Sequence, residues 1–179
     1  MTSLTKAERT MLTREGGWTD RMHTWQKIRP YRVDSHSWGM AVLLHQMFPE
    51  DCEKDLLLAI LYHDVPERWV GDTPYGAKYI LNPDLGQELK KTERRVSEAL
   101  KINFQLNQRA KSILGFLDVL EFTLWVREEI ALGNSTLQKK LADCFQTLQK
   151  MPLWEEAGQL VMEMVSVPMG YEELVYVSE

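Results

Sequence analysis

Apolar residues recur every three or four positions along most of this chain, which is the spacing that places them on one face of an α-helix. Residues 35–48 follow this spacing, with Asp34 or Ser35 expected as the N-cap and a turn at residues 49–51 as the end. The alternation typical of β-strands hardly occurs. The pattern predicts further helices at about residues 53–65, 85–100, 107–132, 135–150 and 152–165.

Turn-forming residues separate these predicted helices. Pro66 is expected to end the helix at 53–65, because proline has no amide hydrogen and crowds the preceding turn. Residues 82–84 are expected to cap the next helix, and Gly133 with Asn134 to end the one at 107–132. Val175-Tyr176-Val177 is predicted as a short strand or a partner-docking segment.

No internal repeat, low-complexity segment or long linker divides the chain. At 179 residues the chain has the size of about one domain and can bury a real core. Residues 1–179 are therefore predicted to form a single all-α domain, a bundle of about six or more helices.

Composition narrows the classes of partner. The 21 basic and 26 acidic residues leave a net charge of −5, so no general attraction to nucleic acid polymers or anionic membranes is expected. Cys52 and Cys144 lie outside any C-x-x-C pattern, and the N-terminus has no apolar signal segment, which favours a cytoplasmic protein. Apolar runs such as residues 56–62 are far shorter than the ~20 residues that span a bilayer. No membrane role is expected.

One group of residues has the chemistry of a metal centre. His63 and Asp64 are adjacent, His36 lies near the start of a predicted helix, and Asp118 falls in the middle of another. On a helix, His63 and Asp64 would project about 100° apart, so both could reach an ion at the helix end. Asp118 stands between apolar neighbours, where an unpaired carboxylate would be costly to bury. Imidazole and carboxylate ligands suit a divalent transition metal ion, with positions left for water and substrate.

The segments around these residues resemble the HD-domain metal-dependent phosphohydrolases. The matching stretches are RMHTWQKIRPYRVDSHS from Arg21, YHDVPERWVGDTPYGAK from Tyr62 and LDVLEFTLWVREEIALGN from Leu117. Within that superfamily the chain is most similar to the small bacterial 5′-deoxynucleotidases and the phage dATP triphosphohydrolases. The resemblance implies an HD-domain helical bundle whose metal ligands are His36, His63, Asp64 and Asp118.

The number of metal ions is predicted from the histidines. Dinuclear members of the superfamily need extra histidines between the His-Asp pair and the last aspartate, and this chain has none between Asp64 and Asp118. One metal ion and hydrolysis, rather than oxygen chemistry, are therefore expected. The ligand types admit Co, Mn, Zn, Ni, Fe or Mg.

Two acidic residues follow the His-Asp pair in the pattern E-x-x-x-x-D-x-P. Glu67 lies three residues after Asp64 and could face the same pocket; the alternative is a solvated glutamate at a helix start. The resemblance implies that Glu67 is the catalytic acid/base and that Asp72 binds the sugar 3′-hydroxyl. For Asp72 the alternative is a purely turn-forming role.

Basic residues supply the predicted phosphate ligands. Arg21 and Lys78 match basic positions of the family, and their side chains offer a planar fork and a mobile point charge to phosphate oxygens. Met22 is a predicted substrate contact. It stands where the resembling deoxynucleotidases carry a tryptophan beside the sugar 2′ position, so 2′-deoxy selectivity does not follow from the resemblance. Weaker candidates that could extend the basic patch are Arg29, Arg32 and Arg68.

The predicted function is hydrolysis of the ester between the α-phosphorus and O5′ of a nucleotide, with a 2′-deoxynucleotide favoured, as a 5′-deoxynucleotidase or a dNTP (dATP-like) triphosphohydrolase. A monophosphate would release phosphate, and a triphosphate would release intact triphosphate. Two alternatives stay open: an alarmone 3′-pyrophosphohydrolase and a non-enzymatic helical regulatory module with a structural metal. The resembling enzymes form dimers or larger assemblies, so a homo-oligomer is expected.

Overall fold

A computed structural model describes residues 4–167, which form eight α-helices and no strand. The helices are α1 (Lys6–Gly16), α2 (Val33–Met47), α3 (Lys54–Tyr62), α4 (Glu67–Val70), α5 (Pro83–Leu100), α6 (Gln108–Ala131), α7 (Gln138–Gln149) and α8 (Trp154–Ser166). Short 3-10 turns occupy Pro49–Asp51 and Ser135–Leu137, and a π-helix occupies Ala77–Leu81. The predicted all-α class is confirmed. The predicted strand at residues 175–177 lies outside the described residues.

Two long helices begin at asparagine caps. The Asn82 side chain accepts a hydrogen bond from the Leu85 amide at 3.3 Å, which confirms the predicted start of α5. The Asn107 side chain accepts one from the Ala110 amide at 2.8 Å at the start of α6. Gly133, at φ 109°, follows the end of α6 in a conformation that favours glycine.

The start of α2 differs from the prediction. The helix begins at Val33, and its N-cap residue is Arg32 rather than Asp34 or Ser35. The Val33 amide donates to the Thr19 carbonyl at 3.0 Å, and the Asp34 amide donates to the Gly17 carbonyl at 2.9 Å. Backbone carbonyls from a distant loop thus satisfy amides that a capping side chain would otherwise serve.

The predicted end of the helix at 53–65 is also wrong. Helix α3 ends at Tyr62, and His63 and Asp64 lie in the turn that follows. Within this turn the Val65 amide donates to the Tyr62 carbonyl at 3.2 Å, and the Glu67 amide donates to the Asp64 carbonyl at 2.9 Å. The Tyr62 carbonyl accepts from Val65 because residue 66, which would donate to it in a continuing helix, is a proline without an amide hydrogen.

Helix α1 was not predicted, although it carries a local signal. Thr5 and Glu8 form a capping box: the Glu8 amide donates to Thr5 Oγ1 at 3.2 Å, and the Thr5 amide donates to Glu8 Oε2 at 2.7 Å. The short helix α4 was not predicted either. It starts directly after Pro66 and so places Glu67 at its first position.

The main core lies between α2, α3, α6 and α8. Met40, Ile60, Phe116, Leu120 and Val161 are all completely buried in it. A smaller apolar cluster joins α6 to the loop before α2 and to the turn before α7, and consists of Tyr31, Trp125, Val126 and Leu137. Helix α6 therefore lies in the middle of the packing and contacts α2, α3, α7 and α8. None of the helices in residues 4–167 has the length and apolar composition needed to cross a bilayer.

Gly86 lets α5 approach the π-helix. A Cβ atom at Gly86 would lie 2.6 Å from the Lys78 carbonyl oxygen, which is a backbone atom with little room to move. We expect Gly86→Ala to destabilise the protein by about 1–3 kcal/mol in urea unfolding, because one of the two segments must shift. The matched control is Gly115→Ala in α6, where the nearest atom, Met151 Cε, would lie 3.8 Å away. That substitution should stabilise the helix by up to ~1 kcal/mol.

Candidate metal centre and its surroundings

Four side chains from three separate parts of the fold converge at one point. His36 comes from the first turn of α2, His63 and Asp64 from the turn after α3, and Asp118 from the middle of α6. One potential ligand atom of each lies within 4.8 Å of the others. His36 Nε2 is 3.1 Å from Asp118 Oδ1, and His63 Nε2 is 3.2 Å from Asp64 Oδ2. This group could hold a metal ion.

The two imidazoles are oriented as metal ligands would be. His63 Nδ1 lies 2.8 Å from the Ile60 carbonyl, and His36 Nδ1 contacts the Glu121 carboxylate. Both Nε2 atoms are buried beside carboxylate oxygens, and neither makes a well-aligned hydrogen bond among residues 4–167. A cation bound between them and the two carboxylates would satisfy these atoms, so the donor set fits a metal ion.

Electrostatics favour the cation-binding protonation states of His63 and Asp118. At His36, burial lowers the pKa, but the contacts with Asp118 and Glu121 outweigh the effect of burial and raise the pKa above its ordinary value. Burial lowers the pKa of His63 to about 4, which keeps this imidazole neutral. Partial desolvation opposes ionisation of Asp118, yet the contact with His36 and the charge of Arg21 hold the Asp118 pKa below its ordinary value. The Asp118 side chain is 41% exposed and paired, so the predicted cost of burying an unpaired carboxylate does not arise.

Arg21 lies directly beside this group. Its guanidinium contacts Asp64, and its Nη2 is 3.7 Å from Asp118 Oδ1. The guanidinium also sits over the Tyr31 ring, 5.4 Å from the ring centre, while the Arg21 amide donates to the Tyr31 carbonyl at 2.7 Å. The loop before α2 therefore fixes a cationic group at the edge of the candidate metal centre. Its predicted role as a phosphate ligand stays a prediction.

Glu67 is buried rather than solvated, so the alternative of a solvated glutamate is wrong. Its side chain keeps 7% exposure, and Oε2 has no hydrogen-bond partner within the described part of the chain. Burial raises the pKa of Glu67 to about 7, against the opposing charge of Arg21 and with a further rise from Asp72. Lys78, in the π-helix, lies close enough to Glu67 for its positive charge to lower the Glu67 pKa slightly. Near neutral pH, Glu67 can therefore both hold and release a proton.

Asp72 and Met22 contact each other. The Met22 amide donates to Asp72 Oδ2 at 2.6 Å, and Met22 adopts φ 54°, a left-handed conformation that is unusual for a residue with a side chain. The Asp72 carboxylate thus ties the loop after α4 to the loop that carries Arg21. The Met22 side chain packs against the Tyr31 cluster.

A cavity of about 400 Å³ opens between the loop after α1 and the segment that begins with α4. Glu67 and Asp72 line one part of it, and Trp18 and His23 line another. The two acidic residues that follow the His-Asp pair therefore face a shared space large enough for part of a small ligand.

The weaker basic candidates all have carboxylate partners. These pairs are Arg29 with Glu128, Arg32 with Asp34 and Arg68 with Glu15. Arg68 alone of the three lines the cavity beside Glu67.

Residues 128–134 follow Asp118 in the pattern E-E-x-x-x-G-N, and two of them, Glu129 and Asn134, make structural hydrogen bonds. Glu129 is completely buried, and its carboxylate accepts hydrogen bonds from the Ile28 amide at 2.7 Å and the Arg29 amide at 2.9 Å. Asn134 donates to Glu129 at 3.0 Å and to the Gln26 carbonyl at 2.9 Å. The end of α6 therefore anchors the loop between Arg21 and α2.

The pKa of Glu67 predicts a pH-dependent stability. Its value rises from 4.5 to about 7 on folding, so the metal-free protein should lose stability as the pH increases from about 4.5 to about 7. The loss attributable to this group is up to ~3 kcal/mol. Glu67→Gln should remove that part of the slope in urea unfolding with chelator present. The control Glu155→Gln, at an exposed position on α8, should keep the wild-type dependence of unfolding free energy on pH. The same dependence in the wild type and both variants would contradict the raised pKa of Glu67.

Searches of protein-family models and of curated proteins found no match to this chain.

Proposed function

We propose that this protein is a mononuclear, metal-dependent nucleotide phosphohydrolase of the HD-domain type. It would cleave the ester between the α-phosphorus and O5′ of a nucleotide. The observation that carries the proposal is the convergence of His36, His63, Asp64 and Asp118, with both Nε2 atoms directed into the group. A structural metal site could use the same donors, but it would not need a buried, protonatable Glu67 that lines a cavity and lies within range of the Arg21 charge.

Each side chain around the candidate centre has a proposed task. A divalent ion held by the four ligands would polarise a phosphoryl oxygen and lower the pKa of a coordinated water. Glu67 would take a proton from the attacking water or give one to the departing O5′. Arg21 and Lys78 would offset the negative charge of the phosphate in the transition state. Asp72 would accept a hydrogen bond from the sugar 3′-hydroxyl.

The position of Glu67 supports its proton-transfer task. A general acid or base works best when its pKa lies near the working pH, and burial brings the Glu67 pKa to about 7. Asp72, on the same cavity, would place the sugar while Glu67 faces the leaving oxygen. Arg21 would meet the phosphate at the edge of the centre, where it borders Asp64 and Asp118.

Product analysis tests the proposal. The purified chain is loaded with Mn²⁺ or Co²⁺ and incubated with dAMP or dATP, and the products are separated by chromatography. We expect deoxyadenosine with phosphate from dAMP, or deoxyadenosine with intact triphosphate from dATP. Chelator should stop turnover, and Glu67→Gln should lower kcat by about 100-fold or more while metal binding persists.

Other results would contradict the proposal in identifiable ways. Release of pyrophosphate from the 3′ position of an alarmone, without turnover of ordinary 5′-nucleotides, would point to the alarmone hydrolase. Bound metal without turnover of any of these substrates would favour the regulatory module. Full activity of Glu67→Gln would contradict the proposed proton transfer.

A further inference from the structure

Glu121 lies in the stretch that begins at Leu117, where the resemblance implies no role for it, yet it contacts a histidine of the candidate centre. It lies one helical turn after Asp118 on α6, so the two carboxylates share a face of that helix. Asp118 Oδ1 is 3.1 Å from Nε2 of His36, and Glu121 Oε2 contacts Nδ1 of the same ring. One helix therefore places a carboxylate beside each nitrogen of the imidazole, and only the one at Nδ1 makes a hydrogen bond.

A second donor fixes the Glu121 carboxylate. The Tyr31 hydroxyl donates to Glu121 Oε2 at 2.5 Å, and the same hydroxyl is 3.0 Å from His36 Nδ1. Tyr31 and His36 are buried, with 1% and 0% exposure, so solvent does not compete for these contacts. When Nδ1–H donates to a carboxylate, the lone pair of a neutral imidazole lies on Nε2, the atom that faces Asp64 and Asp118.

The backbone of α2 makes room for this arrangement. Gly39 lies one turn after His36, and a Cβ atom there would be 2.8 Å from Glu121 Cγ and 3.0 Å from Glu121 Oε1. Any side chain at this position would push the carboxylate away from His36. Because Gly39 has no side chain, α2 and α6 approach closely enough there for Glu121 to contact His36.

We propose that Glu121, held by Tyr31 and accommodated by Gly39, is a positioning residue that fixes His36 in the tautomer presenting Nε2 to a divalent metal ion. The proposal rests on the metal-binding part of the proposed function. It assigns Glu121 no contact with substrate, and its effect is exerted through His36.

Metal affinity and the state of the His36 ring test this assignment together. Mn²⁺ binding is measured by calorimetry, and the ring nitrogens of His36 are observed by ¹⁵N NMR. Outer-shell partners of ligating histidines typically contribute 10–100-fold in affinity, so we expect a loss of about 10-fold in Glu121→Gln and up to about 100-fold in Glu121→Ala. Glutamine should lose less because its carbonyl can still accept from Nδ1–H. In Glu121→Ala the Nδ1-protonated tautomer should no longer dominate.

Two further variants complete the test. Glu128→Gln changes a carboxylate on the same helix that pairs with Arg29, and it should keep wild-type affinity and the wild-type His36 spectrum. Gly39→Ala retains Glu121 but displaces it, and should lower Mn²⁺ affinity by about 10-fold while circular dichroism shows a folded protein.

The possible failures can be told apart. Wild-type Mn²⁺ affinity and an unchanged His36 tautomer in Glu121→Gln, Glu121→Ala and Gly39→Ala would overturn the positioning role and leave the proposed function standing. Absence of Mn²⁺ binding by the wild-type chain would overturn the proposed metal centre itself, and the positioning role with it.

Discussion

Asp64→Asn is expected to weaken divalent metal binding by at least about 100-fold and to abolish nucleotide hydrolysis. Loss of an outer-shell partner alone costs 10–100-fold in affinity, and Asp64 is a candidate direct ligand. Its Oδ2 lies 3.2 Å from His63 Nε2 and 3.9 Å from His36 Nε2, so it faces both imidazoles. Asparagine keeps the shape of the side chain but lacks the negative charge that balances the cation. Calorimetric titration with Mn²⁺ and a chromatographic assay with dATP and dAMP measure the two effects.

The control for this substitution is Asp143→Asn, which changes an exposed carboxylate on α7. It should bind Mn²⁺ as the wild type does and retain turnover. Thermal unfolding of metal-free Asp64→Asn separates loss of the site from loss of the fold. If Asp64→Asn were folded and bound Mn²⁺ with wild-type affinity, the ion would have to be held elsewhere.

The fold could be predicted where local signals decide it. Helices α5 and α6 combine helical periodicity with asparagine caps, so their class and their starts follow from short stretches of sequence. The start of α2 could not be predicted, because carbonyls of Gly17 and Thr19 pair with its first amides. That pairing depends on where the preceding loop lies. Helix α1 had a readable signal in Thr5-x-x-Glu8 but few apolar residues to draw attention to it.

The residues of the candidate site, like the helices, could be predicted only where local sequence indicates them. Residue types and a family resemblance could suggest His36, His63, Asp64 and Asp118, and the structure brings these four side chains together. Glu121 could not be found in this way, because its contact with His36 requires the close approach of α2 and α6. Its sequence signals are its position one turn after Asp118 and its place in the stretch that begins at Leu117, and neither of them indicates a contact with His36.

The E-E-x-x-x-G-N pattern does not indicate which of its two glutamates is buried. Its spacing gives no task for either glutamate, and the two adjacent residues have opposite environments. Glu128 is 36% exposed and pairs with Arg29, whereas Glu129 is completely buried. Burial opposes ionisation of Glu129, but hydrogen bonds from Ile28 and Asn134 lower its pKa. Glu129, the buried residue of the pair, therefore holds the loop before α2 in place through hydrogen bonds to its backbone.

Glu129→Ala is accordingly expected to destabilise the protein by about 3 kcal/mol or more. The substitution removes the acceptor for the Ile28 and Arg29 amides and for the Asn134 side chain, and each buried donor left unpaired costs about 1–3 kcal/mol. For a chain of this size, 3 kcal/mol corresponds to a fall in Tm of roughly 6–12 °C. Urea and thermal unfolding of the metal-free protein measure the effect.

Glu128→Ala is the matched control, because it changes the neighbouring glutamate on the same helix. An ion pair at this exposure contributes at most about 1 kcal/mol, so its Tm should stay within about 4 °C of the wild type. Equal destabilisation by the two substitutions would contradict the anchoring role of Glu129. We expect a fall in stability in Glu129→Ala alone. Weaker Mn²⁺ binding by the folded fraction of this variant would connect the anchored loop to the candidate metal centre, because this loop holds Arg21 against Asp64.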